Sequence, residues 1–338
     1  MRSVIPILTL ASVLTITAFG QVKITPGTGK IPVEINGKPF TDFYISGPEV
    51  AKPYLWPLRA PSGTYITRAW PMEKNPEELD SETGFAIVNG QSTGKVPDHP
   101  HQRGLWFAHA KVNGLDFWNI APIDAPPYNR PDRGKIVLKK MGEVKSGKDK
   151  GSIAASFDWT DHEGKPILTE SRVMTFYSEP ALRTIDFDIT LTAITSVTFG
   201  DEKDGVFGIR LRPLLQEDKG TGHITNADGG ATEKEVWGKP SHWCDYSGEI
   251  NGEKLGITIF DHPDNPLRGA RWHVRAYGLF AANPFGLSTF TSEPKAELGV
   301  VTLDPGRSLH YRYRIVVHPG DAASANLAKI WDKYIAGK

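Results

Sequence analysis

Between Arg183 and Ala193 the chain alternates without a break. Ile185, Phe187, Ile189 and Leu191 are apolar, and Asp186, Asp188, Thr190 and Thr192 between them are polar. Successive side chains of an extended strand point to opposite faces, so this pattern buries one face and wets the other. A helix would scatter the same apolar residues around its circumference. The period recurs at Ile153, Ala155, Phe157 and Trp159. Further runs read as strands at Phe207 to Leu211, Leu255 to Phe260, Trp272 to Tyr277, Gly299 to Leu303 and Leu309 to Val317. No helical periodicity separates them, which excludes βαβ units and leaves an all-β fold, an antiparallel sandwich or a barrel.

The turns fit that reading, with 34 Gly and 26 Pro residues to build them. Ile31 to Ile45 predicts a hairpin around Asn36-Gly37. Tyr54 to Leu58 is a short strand punctuated by proline, expected at an edge or a bend. Pro71 to Gly94 is polar and acidic and reads as a long loop. One helix is expected, over residues 321–336: Asp321 can cap it, and Leu327, Ile330, Trp331 and Tyr334 recur at helical spacing.

Residues 1–20 have the form of a secretory signal peptide: Arg2, an apolar run from Val4 to Phe19, and Ala18-Phe19-Gly20 before Gln21. Residues 21–338 then form a single domain, periplasmic or secreted, without a further span. Cys244 is the only cysteine, so no intrachain disulfide can form, and a buried structural thiol is expected. Lys plus Arg (39) equals Asp plus Glu (39). A chain without net charge lacks the basic balance that nucleic acid or an anionic membrane normally selects.

The stretch from Pro97 to Asn119 gathers His99, His101, Arg103 and His109, three of the ten histidines in the chain. Pro97 and Pro100 stiffen its entry, Gly104 to Ala108 reads as a buried strand, and Asn113-Gly114 as a tight turn. Asp98 beside His99 can fix a tautomer and raise imidazole basicity. His99 and His101, with Asp98, are therefore the candidate proton-transfer groups. Arg210 and Arg212 share one face of their strand, as His273, Arg275 and Tyr277 do of theirs. With Arg103 and His109 these cations and imidazoles are candidates for holding the oxygens of a substrate. A divalent metal on His99, His101 and His109 is the alternative, disfavoured by Arg103 on the same face, so no cofactor is expected. Asp261-His262-Pro263 repeats the first Asp-His-Pro and reads as a proline-terminated turn. Single tryptophans such as Trp106, Trp118, Trp237, Trp243 and Trp272 are expected in the core, though exposed ones could stack on sugar rings.

KPYLWPLRAPSG from Lys52, PDHPHQRGLWFAHAKVNGLDFW from Pro97, GIRLRP from Gly208, FDHPDNP from Phe260, RWHVRAYGLFAANPFG from Arg271 and YRYRIVVHPG from Tyr311 resemble the PmoA-like family of bacterial proteins. The resemblance runs from about Gly37 to the C-terminal helix. Members are often labelled methane oxygenase PmoA, which implies a membrane-embedded monooxygenase subunit. After the leader this chain has no apolar run of spanning length, so the resemblance implies the family without that activity. It further implies a secreted β-sandwich similar in outline to the galactose-mutarotase-like supersandwich, found in company with sugar-catabolic enzymes. Three functions follow as expectations. One is acid/base chemistry on a sugar or uronate (epimerisation, elimination or hydrolysis), the second non-catalytic binding of a small sugar or oligosaccharide, and the third a metal-dependent enzyme.

Overall fold

The computed structural model describes residues 20–75, 84–88, 91–96, 98–122, 130–267, 269–292 and 298–337. The segment expected to be a signal peptide, residues 1–20, lies outside them except for Gly20. In chain order the strands are β1 (Val22–Ile24), β2 (Lys30–Ile35), β3 (Lys38–Tyr44), β4 (Tyr54–Trp56), β5 (Gly84–Val88), β6 (Gln91–Val96), β7 (Leu105–His109), β8 (Lys135–Lys145), β9 (Lys150–Thr160) and β10 (Pro166–Tyr177). There follow β11 (Arg183–Ala193), β12 (Val197–Phe199), β13 (Gly205–Arg210), β14 (His223–Asn226), β15 (Trp243–Ile250), β16 (Glu253–Asp261), β17 (Arg271–Val274), β18 (Leu279–Asn283), β19 (Val301–Leu303) and β20 (Ser308–Pro319). Short helices α1 (Thr232–Val236) and α2 (Leu287–Phe290) interrupt them, and α3 (Leu327–Ile335) closes the chain.

Two antiparallel sheets of eight strands carry the fold, one ordered β1-β2-β3-β4-β7-β13-β18-β17 and the other β14-β15-β16-β20-β11-β10-β9-β8. Of the two architectures the alternation left open, this is the sandwich. Its filling is aromatic. Phe207 lies flat on Tyr313 with ring centroids 4.5 Å apart, Phe187 meets Phe207 at 4.8 Å, and Phe43 meets Phe157 edge-on at 6.1 Å. Each contact joins a strand of the first sheet to one of the second, and burying a ring of this size stabilises by about 1.5–3 kcal/mol. Ile185, Phe187, Ile189 and Leu191 all point into this layer.

Along β4, β7, β13 and β18 the outer face of the first sheet is buried as well, because loops lie across it. Trp118 packs on Trp106, centroids 4.9 Å apart, above Gly208. A Cβ at Gly208 would stand 2.6 Å from the Trp118 ring, so only glycine lets the indole settle there. This covering explains why every residue of β13 is buried, including Arg210 on its outward side.

The predicted hairpin is formed by β2 and β3, with Asn36 and Gly37 both at positive φ. Three expectations need correction. Tyr54 to Leu58 is no edge: β4 sits between β3 and β7 and stops where Pro57 has no N–H to give a neighbour. The expected loop over Pro71 to Gly94 contains β5, which pairs with β6 in a hairpin. The helix begins at Leu327 rather than Asp321. Asp321 instead closes a turn by accepting the Ser324 N–H at 2.8 Å, and Asn326 enters the left-handed region before α3 starts. Cys244 is buried, as expected.

Candidate functional site

Loop 98–104 lies over the outer face of the first sheet, where β7 and β13 run side by side. Its anchor is Asp98. One oxygen, Oδ2, accepts from Arg68 Nη1 and from Arg210 Nη2, both at 3.0 Å. The other, Oδ1, accepts from His99 Nδ1. Burial alone would raise the Asp98 carboxyl, but the His99 hydrogen bond and the Arg210 and Arg68 charges outweigh it and hold it well below the usual carboxylate range. Both guanidiniums are sealed in, with side-chain exposures of 0% for Arg68 and 1% for Arg210, whereas the His99 side chain is 45% exposed.

Each arm of this clamp is fixed by the local fold. Segment 66–68 runs beside the end of β13: Arg68 N–H donates to the Arg210 carbonyl at 3.0 Å, and Arg212 N–H to that of Ile66 at 2.9 Å. Arg68 also donates to the His99 carbonyl at 2.9 Å, so it grips the loop backbone as well as its carboxylate. Arg210 Nη1 donates to Gln102 Oε1 at 2.6 Å. Tyr277, on the turn after β17, hydrogen-bonds Gln102 and stacks on the His99 ring, centroids 5.6 Å apart and planes 13° from parallel. The Arg210 guanidinium lies 4.6 Å from the Tyr277 centroid and that of Arg275 5.9 Å. His99 itself has a φ of 45°, a left-handed conformation that non-glycine residues adopt at a cost, often where a side chain must be aimed.

With Nδ1–H donated to an ionised carboxylate, the neutral imidazole of His99 carries its lone pair on Nε2. The dyad is thus an oriented base on an exposed ring, backed by a carboxylate that two buried cations keep charged.

His101 touches the same cluster, its ring centroid 5.6 Å from that of His99, but it is buried. Burial first, then neighbouring basic groups that include Lys52 and Arg68, push it well below the ordinary histidine value. A neutral, enclosed imidazole is poorly placed for the proton exchange expected of it. Its carbonyl accepts from Lys52 Nζ at 3.0 Å; the same ammonium reaches the carbonyls of Trp118 at 2.7 Å and Ile120 at 3.2 Å. Lys52 so pins the site loop to the segment that carries Trp118.

Four further site residues depart from expectation, and the metal set with them. His109 lies at the far end of β7, opposite Gly205, packed against Phe285 and Phe199 and donating from Nε2 to the Gly200 carbonyl at 2.8 Å. Burial takes it down to about 4, and it belongs to the packing rather than the site. With it goes the His99, His101, His109 metal set, and among the described residues no group of three or more His, Cys, Asp and Glu is placed to hold a metal. Arg210 clamps Asp98 instead of meeting a substrate. Arg103 turns away from Asp98, donating to the Glu49 carbonyl at 2.8 Å and lying over Tyr54. Arg212 is buried just past β13, where the chain enters a 3-10 turn.

His273 stands on the same outer face three strands from β7, through the register His273–Ala281–Gly208–Trp106. Its Nδ1 accepts from Trp237 Nε1 at 3.0 Å and its Nε2 faces Asp204 Oδ1 at 3.4 Å, so both nitrogens are engaged. Arg275 extends this group toward Tyr277. Glu233 holds its Nε at 2.9 Å and leaves the side chain 36% exposed. Arg275 is therefore the candidate cation that a ligand beside His99 can meet.

Arg68, Gln102 and Lys52 were not singled out in the sequence. A hint existed for Arg68, a charge between the apolar Ile66 and the Ala69-Trp70 pair. Gly104 was read only as the start of a strand, yet its φ is 52° and a Cβ there would stand 2.0 Å from the Leu55 carbonyl. Gly104→Ala is expected to cost about 1–3 kcal/mol and to loosen the site loop. Urea unfolding would check this, and an unchanged midpoint would contradict it.

The fold and the site together define a large antiparallel β-sandwich protein with an arginine-clamped Asp-His dyad on one outer face. The chain belongs to the family of unknown function DUF6807, whose model matches residues 30–332. No curated protein matches it in sequence. Among solved structures, it is similar to a galactose mutarotase-like protein from Lactobacillus casei ATCC 334, at 9% identity and a TM-score of 0.35 over 88% of this chain and 100% of that one. It is also similar to a putative aldose 1-epimerase from Klebsiella pneumoniae subsp. pneumoniae MGH 78578, at 10% identity and 0.39 over 94% and 87%. A third likeness is to the galactosidase domain of alpha-galactosidase-sucrose kinase AgaSK, at 8% and 0.39; 88% of this chain matches, spanning 42% of that one.

Proposed function

We propose that this protein is a periplasmic or secreted carbohydrate-active enzyme in which His99 Nε2 exchanges a proton with a sugar or uronate. The observation that carries the reading is the Asp98–His99 pair: an exposed imidazole whose other nitrogen is tied to a carboxylate locked by Arg68 and Arg210. Two buried guanidiniums around one carboxylate is a costly arrangement to keep unless that carboxylate has a position to hold. The half-buried Trp237 offers a ring face for the C–H side of a pyranose, and Arg275 a guanidinium for its hydroxyls or carboxylate. Acid/base transfer of this kind needs no cofactor. In this reading the leader exports the chain, and the PmoA-like resemblance describes kinship rather than oxygenase chemistry.

The test is turnover of a panel of neutral sugars, uronates and their oligosaccharides, followed by NMR with wild type and His99→Gln. Wild type is expected to epimerise, eliminate or hydrolyse one class, and His99→Gln to lose about 10²-fold or more while remaining folded. Turnover unaffected by His99→Gln would remove the base from the proposal. Saturable binding without turnover, surviving His99→Gln, would establish a non-catalytic binder instead.

A further inference from the structure

A second cleft lies on the other sheet, between edge strand β14, the start of α1 and the segment that leads into α3. Its volume is 590 Å³, within the range of small-molecule sites. Trp243, half-buried, lines it together with Ala322, Ala323 and Leu327. Around this apolar floor stand hydroxyls and amides, among them Thr225, Ser247 and Asn326, and the carboxylates Glu217 and Asp321. Hydrogen bonds from Ser324 hold the Asp321 carboxyl below its ordinary value. None of the residues that line the cleft is lysine or arginine.

We infer that this cleft binds a neutral, hydroxyl-bearing ring compound, a monosaccharide or the terminal unit of a glycan. The chemistry of the walls selects it. An aromatic and aliphatic floor suits the C–H face of a pyranose, and the acceptors above it suit its hydroxyl protons. Two carboxylates, with the imidazole of His223 as the one basic side chain in the lining, disfavour a phosphate or a uronate. The backbone adds a separate observation. Thr232 (φ 69°) and Asn326 (φ 54°), both in the lining, occupy the left-handed region, and for β-branched Thr232 that is a rare conformation, of a kind concentrated at ligand sites. The cleft also adjoins the His99 site. Glu217 Oε2 accepts the Glu233 N–H at 2.9 Å, and Glu233 holds Arg275. The two sites nevertheless differ in sign, one offering a cation and the other carboxylates.

The experiment follows the Trp243 indole N–H, assigned with Trp243→Phe, in NMR titrations of the full mature chain. Glucose, galactose, mannose and xylose are the probes, with glucuronate as the anionic comparison. At least one neutral sugar is expected to shift the indole saturably, with glucuronate at least tenfold weaker. Ala323→Trp, which fills the cleft from an exposed position, is expected to abolish the shift. Asn326→Gly keeps the left-handed backbone, removes the amide, and is expected to weaken binding severalfold. His99→Gln should leave binding intact. The proposal is overturned by no saturable shift in wild type, by binding that survives Ala323→Trp and Asn326→Gly, by glucuronate binding equally well, or by loss in His99→Gln alone, which would assign the sugar to the first site. Failure of turnover at His99 leaves this binding measurable, so the two proposals fail separately.

Discussion

Asparagine in place of Asp98 is expected to lower the unfolding free energy by about 3–5 kcal/mol and to reduce the turnover proposed for His99 by about 10²–10⁴-fold. The substitution keeps the shape and removes the charge. Arg68 and Arg210, both enclosed, then lose the carboxylate they share at 3.0 Å, and charge left uncompensated inside a protein is the expensive outcome of breaking such a cluster. His99 loses the acceptor that fixes its tautomer, so even protein that stays folded presents the ring less well. The pH dependence has a definite sign. The folded carboxyl titrates below its ordinary value of about 3.9, so its stabilisation is complete above about pH 5 and fades as the pH falls through 4 toward the folded value. Wild type should therefore lose stability in acid across that window, and Asp98→Asn should lose markedly less. Urea unfolding at pH 7 and pH 3.5, with turnover per folded molecule, checks each part. A variant as stable and active as wild type would show that the clamp neither supports the loop nor serves the dyad.

The architecture was legible because it rests on period-two patterning, which is local. Ile185, Phe187, Ile189 and Leu191 announce their burial without reference to any other strand. The site was legible only where chemistry was concentrated in one stretch, as with Asp98 and His99. Its other components converge through the sheet register: Arg68 reaches Asp98 because segment 66–68 runs beside 210–212, and Tyr277 reaches His99 because β17 turns back at Gly278. Same-face reasoning also misled at Arg210 and His109. It could tell that Arg210 faces outward from β13, but not that loops 98–104 and 116–120 cover that face and turn an outward guanidinium into a buried clamp. His109 looked like a neighbour of His101 by number, yet the strand between them carries it to the far end of the sheet.

The second large effect is expected inside the sandwich, at a charge pair hidden by a strand that otherwise reads as alternating. Glu170 and Arg172 on β10 are 0% and 2% exposed. Glu170 accepts from Arg172 Nε at 2.7 Å and from Trp159 Nε1 at 3.0 Å, while the guanidinium lies 5.4 Å from the Phe157 centroid and 5.8 Å from that of Phe43. Glu170→Gln keeps a hydrogen-bond acceptor for Trp159 but leaves Arg172 charged among aromatic rings, and is expected to cost about 3–5 kcal/mol. The double replacement Glu170→Leu with Arg172→Met removes both charges together and should recover most of that loss, since desolvating the pair offsets much of its attraction. The comparison isolates the cause: a cavity or a packing fault would make the double variant worse than the single one, whereas an orphaned charge makes it better. If Glu170→Gln unfolds at the wild-type urea midpoint, water or another group must already compensate Arg172, and the interior between Phe43 and Phe157 is wetter than its packing indicates.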